Sequence, residues 1–272
     1  MNKDLCIVQA NCQADMLTDL LQACPQFNSR YELRRYTNFL HEAVPEEELA
    51  RCGVFIYQHL GEKWGKLASG ELLQQLNSSA LCLKLPNMLF KGYWPFWTNK
   101  SPSEFGDFFL DKLIGMGLGK AEILHVYLNT ELSAKFDLKA MFDESVQIER
   151  VKEEGALVKS VDFVLEHYRE EPLFLTVNHP GPRLLEKVAQ AVFAALELRW
   201  TKELEAALQN PYPEFELPIH PQVAAFHDLK FAGQATHYNV FGKQKNFETY
   251  ASNYIDSQLL NMQPLSAYLH MV

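Results

Sequence analysis

Residues 5–14 read LCIVQANCQA, and this stretch predicts a buried strand that runs directly into a helix. The run Cys6-Ile7-Val8 is apolar without alternation, as in a strand covered on both faces of a parallel sheet. Apolar side chains recur at helical spacing after Ala14. A strand followed at once by a helix is the repeating unit of α/β folds, so this stretch indicates the fold class.

The alternation of strand and helix continues along the chain. Further strands are predicted at residues 31–36, 54–59, 80–85 and 172–177. We therefore predict an α/β fold, a three-layer sandwich with a central parallel sheet and a helical insertion at about residues 103–168. We expect a core domain over residues 1–205, which includes the insertion, and a C-terminal extension over residues 206–272 that packs on it.

The composition is that of an ordinary globular protein. Of 272 residues, 47% are hydrophobic and 22% are charged, and no segment has the roughly 18 uninterrupted apolar residues that a membrane helix needs. The net charge of −9 would repel nucleic acid. The chain starts without the apolar segment of a signal peptide, and its five cysteines form no CxxC pair. We expect a cytoplasmic protein with reduced thiols, no transmembrane segment and no nucleic-acid partner.

Cys12 is the first candidate catalytic residue. It lies where the first strand meets a helix, at the carboxyl end of the sheet, and this is where ligands of open α/β folds bind. A helix N-terminus stabilises a thiolate, so we predict a more acidic and more reactive thiol than one in a core. The alternative is that Cys12 is a small buried apolar residue. The polar neighbours Asn11 and Gln13 favour the catalytic interpretation.

His179 is the candidate general base. The sequence NHPGPR at residues 178–183 again joins a predicted strand end to a helix start, so His179 is expected at the same sheet edge as Cys12. Arg183 would add positive charge to that helix start, which favours anions. A histidine in isolation is more often structural, and Arg183 could equally form a surface ion pair.

Asn87 is the candidate oxyanion donor. It follows the predicted strand at residues 80–85, where its amide could stabilise a tetrahedral intermediate or only cap a turn. The aromatic run FKGYWPFW at residues 90–97 could contact a ligand or form core. No metal-binding spacing of histidines and no nucleotide-binding glycine motif follows a strand, so we expect no metal.

Four short motifs together resemble the WcbI-type polysaccharide biosynthesis proteins. They are NCQ at residues 11–13, YQ at residues 57–58, LPN with GYWP within residues 85–95, and NHPGPR at residues 178–183. The resemblance covers about residues 5–200. It implies an SGNH-like (flavodoxin-like) fold, coenzyme A binding and acetylation of sugars of a capsular polysaccharide.

The resemblance implies a site in which acetyl-coenzyme A donates its acyl group to Cys12, or directly to a sugar hydroxyl, with His179 as base and Asn87 as oxyanion donor. The implied partners are an acyl donor and a sugar or polysaccharide acceptor, and a homo-oligomer is possible. The residues expected to bind the coenzyme are Asn11, Gln13, Tyr57, Gln58, Lys63, Lys91, Gly92, Tyr93 and Arg183.

The sequence departs from the SGNH pattern at one position. The aspartate expected three residues before the catalytic histidine falls at Thr176, and SGNH enzymes carry their histidine late in the chain, so His227 and His237 remain rival bases. Two other functions also remain open. One is a thiol-dependent esterase or deacetylase, and the other is a coenzyme- or glycan-binding protein without catalysis.

Overall fold

The structure, a computed structural model, describes residues 3–208 and 212–272. Its strands in chain order are β1 (Asp4–Ala10), β2 (Tyr31–Thr37), β3 (Cys52–Gln58), β4 (Leu81–Leu85), β5 (Trp97–Thr98), β6 (Gly106–Asp107), β7 (Phe174–Thr176), β8 (His179–Pro180), β9 (His237–Val240) and β10 (Lys243–Asn246).

The helices alternate with the first four strands and dominate the chain after them. They are α1 (Asp15–Ala23), α2 (Pro25–Arg30), α3 (Glu46–Arg51), α4 (Ser69–Gln75), α5 (Phe108–Ile114), α6 (Lys120–Asn129), α7 (Leu132–Lys135), α8 (Leu138–Lys152), α9 (Val161–His167), α10 (Pro182–Ala195), α11 (Lys202–Ala207), α12 (Pro221–His227), α13 (Phe247–Leu259) and α14 (Leu265–Met271).

The chain forms two compact units. The first unit consists of Met1–Met88, Arg150–Phe163 and Pro180–Pro211, and the second of Leu89–Glu149, Val164–His179 and Tyr212–Val272. The predicted core domain over residues 1–205 and C-terminal extension over residues 206–272 stay a prediction.

The first unit contains the central sheet. Its four strands are parallel in the order β2-β1-β3-β4. β1 and β3 are central, and their apolar runs are buried on both faces, as the unbroken hydrophobicity of Cys6-Ile7-Val8 predicts. Ile7 and Phe55 pack with Leu49 and Leu72 from the covering helices α3 and α4. The predicted α/β class and parallel sheet are confirmed.

The predicted strand at residues 172–177 does not join this sheet. Only β7 (Phe174–Thr176) is extended there, and it pairs with β8 in a separate two-stranded ribbon. His179 therefore belongs to the second unit. Our prediction that this strand end lies on the same sheet edge as Cys12 is wrong, because an apolar run of this length indicates a strand without indicating its pairing partner.

The second unit has an aromatic core and includes most of the predicted helical insertion. Helices α5 to α9 occupy residues 108–167, which confirms the insertion predicted at about 103–168. The ring of Phe90 lies 4.9 Å from that of Tyr93, 5.8 Å from Tyr168 and 5.4 Å from Phe174, measured between centroids. Such rings bury much apolar area and pack with defined geometry.

Candidate functional site

Three strand ends of the first unit bring polar residues together at the carboxyl edge of the sheet. β1 ends at Ala10 and continues into a 3-10 turn at Cys12–Ala14, β3 ends at Gln58, and β4 is followed by Asn87. Parallel strands present their carboxyl ends at one edge, so the fold itself assembles these residues. We call the set Asn11, Cys12, Gln13, Gln58 and Asn87 the strand-end cluster.

The side chain of Gln13 joins the first helix to the segment after β4. Its Nε2 donates to the carbonyl oxygen of Met88 at 2.7 Å, and its Oε1 accepts from the Met88 amide at 3.1 Å. The side chain thus pairs with the backbone as a neighbouring strand would. Because both groups are buried, losing either bond would leave a polar atom unpaired.

Gln58 connects all three strand ends. Its Oε1 accepts from the backbone N–H of Asn11 at 2.9 Å. Its Nε2 donates to Gln13 Oε1 at 3.1 Å and to the carbonyl of Pro86 at 3.2 Å. The residue is 1% exposed, so its amide hydrogen-bonds to protein groups and not to solvent. These bonds fix the edge that carries Cys12.

Asn11 caps the turn and orients Asn87. Its Oδ1 accepts from the Gln13 amide at 2.9 Å, which is an N-cap bond. Its Nδ2 donates to Asn87 Oδ1 at 3.4 Å. Asn87 is half-buried, and the orientation set by this bond leaves its Nδ2 as the group able to donate to a ligand.

The thiol of Cys12 is half-buried in this cluster. Burial raises its pKa, while backbone hydrogen bonds at Cys12 and Gln13 and the positive charge of Arg35 oppose that rise. Arg35 pairs with Asp15 in the first turn of α1. Desolvation therefore outweighs the stabilisation offered by a short 3-10 turn, and the pKa of Cys12 lies above that of a free thiol. The predicted greater acidity relative to a core thiol stays a prediction.

The other cysteines have environments unlike that of Cys12. Cys6, Cys24 and Cys52 are buried, and Cys82 is exposed near the start of β4. Burial raises the pKa of Cys52 to about 11. Among the described residues, Cys12 is the cysteine that lies at a strand end with polar side chains around it.

His179 lies in the second unit and is mostly removed from water. Its ring stacks on that of Tyr212, with centroids 4.3 Å apart and planes at 16°. Burial lowers its pKa to about 4, so the imidazole is neutral at pH 7. Thr176 donates a hydrogen bond from its hydroxyl to Asn178 Oδ1 at 3.1 Å and supplies no carboxylate.

The rival histidines lie in the same unit but differ from each other. His227 is buried against the rings of Phe142 and Tyr168, and burial lowers its pKa to about 4. His237 is exposed on β9, with Nδ1 3.1 Å from the carbonyl of Ala235. The role of each as base stays a prediction.

The cationic residues proposed for the coenzyme are distributed over both units. Lys63 is exposed in the 3-10 segment Glu62–Leu67. Arg183 is exposed at the start of α10, with its guanidinium 4.9 Å from the centroid of the Phe163 ring, which is a cation–π distance. In the second unit, Lys91 Nζ lies 5.2 Å from the ring of Trp97.

The remaining motif residues have clear packing roles. Tyr57 on β3 stacks on Phe55 at 5.3 Å. Tyr93 is fully buried, and its hydroxyl donates to the carbonyl of Tyr168 at 2.7 Å. A Cβ on Gly92 would lie 2.3 Å from the Phe90 ring, so the site requires glycine. Their contact with coenzyme stays a prediction.

Sequence reasoning missed Arg35 and the backbone groups of Pro86 and Met88. Arg35 is part of the sequence YELRRYT in β2, and the position of β2 beside β1 is what brings its charge near Cys12. The signal was a pair of arginines at a predicted strand end. Backbone acceptors carry no sequence signal at all.

The described residues contain neither a candidate metal cluster nor a candidate membrane-spanning helix. Over residues 3–208 and 212–272, no group of three or more His, Cys, Asp or Glu side chains is arranged to hold a metal ion. In the same residues, none of the helices has the length and apolar character needed to cross a bilayer.

Fold and site together define a mixed α/β protein that presents a thiol and side-chain amides at the carboxyl edge of a parallel sheet. The family model described as "Polysaccharide biosynthesis enzyme WcbI" matches residues 5–201, and the chain belongs to this family of polysaccharide biosynthesis enzymes.

A solved structure supports the fold over the whole length. It is described as WcbI, a novel polysaccharide biosynthesis enzyme, in its native form without a disulfide bond between coenzyme A and a cysteine of that protein. It is 19% identical, with a TM-score of 0.72, and the alignment covers 99% of each chain. No curated protein sequence matches this chain significantly.

Proposed function

We propose that this polysaccharide biosynthesis enzyme is a coenzyme A-dependent acetyltransferase that acts on a sugar hydroxyl. The observation that carries the proposal is the position of Cys12, half-buried among amides whose bonds fix its backbone. The similar WcbI structure is described with reference to coenzyme A and a cysteine, which favours the same ligand here.

In the proposed reaction, the thiolate of Cys12 attacks the carbonyl carbon of acetyl-coenzyme A. The bond from the acyl carbon to the coenzyme sulfur breaks, and the coenzyme leaves as a thiolate. A sugar hydroxyl then attacks the acyl-enzyme, gives its proton to a base, and releases the Cys12 thiolate. Asn87 Nδ2 is the proposed donor to the oxyanion of both tetrahedral intermediates, since its Oδ1 is engaged by Asn11.

The proposed base is His179. A general base must be unprotonated at working pH, and burial lowers the pKa of His179 to about 4. His227 meets the same requirement, with a pKa also lowered to about 4, whereas His237 is exposed. Single substitutions of the three by glutamine rank them, and the base is the one whose loss abolishes transfer while coenzyme binding persists.

The coenzyme phosphates are proposed to bind Lys63, Lys91 and Arg183. At a net charge of −9 the whole molecule does not attract a polyanion, so local cations must supply the attraction. Asn11, Gln13, Tyr57, Gln58, Gly92 and Tyr93 are proposed to shape the pocket, and their buried members act by fixing its walls.

A second mechanism is favoured by the raised pKa of Cys12. A thiol that stays protonated at pH 7 is a poor nucleophile, so Cys12 would position the coenzyme while the acetyl group passes directly from thioester to sugar. The donor, the acceptor and the overall reaction are the same in both mechanisms.

The test is intact-protein mass spectrometry after incubation with acetyl-coenzyme A. We expect one acetyl adduct in wild type, none in Cys12→Ala, and an unchanged adduct in Cys82→Ala, which controls for acetylation of an exposed thiol. Coenzyme retained by wild type and Cys12→Ala without any adduct would favour direct transfer or binding without catalysis. The absence of both an acetyl adduct and retained coenzyme would refute the proposal.

A further inference from the structure

The second unit encloses a cavity of its own. It has about 40 Å³ of free space and is lined by rings from five segments of that unit, among them Trp94, Phe96, Tyr127 and Phe247. A single water needs roughly 10–15 Å³ of such space, so the cavity holds a small polar group or a few waters. It is distinct from the strand-end cluster, whose residues belong to the first unit.

Three polar atoms of lining residues are buried and have no hydrogen-bond partner among the described residues. They are Nε1 of Trp97, Nε2 of His220 and the hydroxyl of Tyr250. An unpaired buried donor costs on the order of 1–3 kcal/mol, so native proteins satisfy nearly all of them with protein, water or ligand. Three such atoms in one cavity lining point to an occupant that accepts hydrogen bonds.

A half-buried acid and a buried histidine line the same cavity. Asp107 accepts from the Tyr127 hydroxyl at 2.5 Å and from the Leu110 amide at 2.8 Å. His220 Nδ1 accepts from the Gln222 amide at 3.1 Å, so the proton of the neutral ring is on Nε2. The cavity therefore combines neutral donors with a carboxylate acceptor.

These groups select among ligand classes. A purely apolar ligand would leave the Trp97 and Tyr250 donors unpaired. Burial raises the pKa of Asp107 to about 6, so at pH 7 the carboxylate is mostly ionised and repels an anion. A hydroxyl group both donates and accepts, and it is neutral, so it satisfies donors and carboxylate together.

The entrance fits a sugar ring. Most lining residues are buried, whereas Trp97 and Phe105 remain partly exposed, as do Pro95 and Asp107. Aromatic faces pack against the C–H faces of a pyranose by burying apolar area. Partly exposed aromatic rings beside a few buried hydrogen-bonding groups suit a hydroxyl-bearing ring.

We propose that this cavity is a carbohydrate subsite, which receives a hydroxyl-bearing arm of a sugar while the ring packs against Trp97 and Phe105. In identifying the sugar as the acetyl acceptor, the inference rests on the proposed function. Binding itself needs neither Cys12 nor coenzyme.

Saturation-transfer NMR tests the subsite, with a mixture of methyl α-glucopyranoside, methyl α-galactopyranoside and N-acetylglucosamine and without coenzyme. The informative variant is Tyr250→Phe, which removes a hydroxyl that makes no hydrogen bond to any described residue. We expect its melting temperature to be unchanged or higher and its sugar affinity to be weaker by about three- to tenfold. Trp97→Phe, which keeps a ring and removes the N–H, should weaken binding similarly.

The matched control is Tyr238→Phe. The Tyr238 hydroxyl is also buried, and it interacts with the backbone of Ile219 but does not line the cavity, so this variant should bind sugar like wild type. No saturation transfer in wild type, or equal binding by Tyr250→Phe and wild type, would overturn the inference. A Cys12 adduct without sugar binding refutes only the subsite, and sugar binding without coenzyme binding refutes only the proposed function.

Discussion

Replacing Gln58 by leucine should destabilise the protein far more than the same change at Gln9. Both glutamines are fully buried on the central strands, at 1% and 0% exposure. Gln58 makes three hydrogen bonds, to the Asn11 amide, Gln13 Oε1 and the Pro86 carbonyl. Gln9 makes one long bond, from Nε2 to the Leu67 carbonyl at 3.4 Å, and its Oε1 is unpaired among the described residues.

The magnitude follows from the groups left unpaired. In Gln58→Leu the Asn11 N–H and the Pro86 carbonyl lose their partner, while Gln13 Oε1 keeps the Met88 amide. At about 1–3 kcal/mol per orphaned group, and with Asn11 only partly buried, the loss in unfolding free energy is about 2–4 kcal/mol. For a chain of this size that lowers the melting temperature by roughly 5–10 °C.

Gln9→Leu loses one weak bond and removes an unpaired oxygen, so it should change the unfolding free energy by less than about 1 kcal/mol. Urea unfolding followed by circular dichroism measures both variants. Leucine and glutamine are similar in size, so packing changes affect both variants alike. Equal destabilisation would show that the amide bonds at the strand ends do not fix this edge of the sheet.

Three other perturbations have defined outcomes. Arg35→Met removes the positive charge that lowers the Cys12 pKa, so iodoacetamide labelling of Cys12 should need a higher pH than in wild type. An unchanged pH profile of labelling would contradict the role of that charge. Gly92→Ala should lower the unfolding free energy by about 1–3 kcal/mol, because its Cβ would meet an aromatic ring. In the control Gly61→Ala, the Cβ has open space, so the change should be nearly neutral. Equal melting temperatures of the two variants would contradict this prediction. Burial lowers the pKa of His227 from 6.5 to about 4, so between these pH values the unfolded state binds more protons than the folded state and the unfolding free energy falls as the pH falls. His227→Phe should therefore show a shallower fall in unfolding free energy, measured by urea titration at a series of pH values. An identical slope in wild type and variant would contradict the low pKa.

The sheet was predictable because its signals are local. The unbroken apolar runs of β1 and β3 indicate strands covered on both faces, and Asn11 followed by Gln13 marks the turn into α1. Parallel pairing then follows from the intervening helices, since parallel strands need a long crossover. The residues at the strand ends could be identified for the same reason.

The position of His179 was not predictable from the sequence. PLFLTV at residues 172–177 has the composition of a central strand, yet β7 pairs with β8 in a ribbon, and pairing depends on distant contacts. The rise of the Cys12 pKa above that of a free thiol could not be predicted for a related reason. The sequence shows a helix start beside the thiol but not how much solvent reaches it, and desolvation proved the larger effect.

The strand-end cluster also showed an unexpected use of side-chain amides. Gln13 and Gln58 were expected to bind coenzyme, and the structure engages their amides in bonds between strand ends. Polar residues at a strand end indicate a site, but they do not distinguish the groups that touch a ligand from those that hold the backbone in place.

The discontinuity of the first unit has a consequence for biosynthesis. Its four strands are complete at residue 85, but α10, which packs with α1, begins only at Pro182. At typical translation rates of about 5–20 residues per second, roughly 5–20 s pass between the synthesis of the last strand of the sheet and the synthesis of this helix. During that interval the apolar side of α1, with Leu17 and Leu20, is a surface on which chaperones would act, and slowing elongation between residues 89 and 181 should lower the soluble yield.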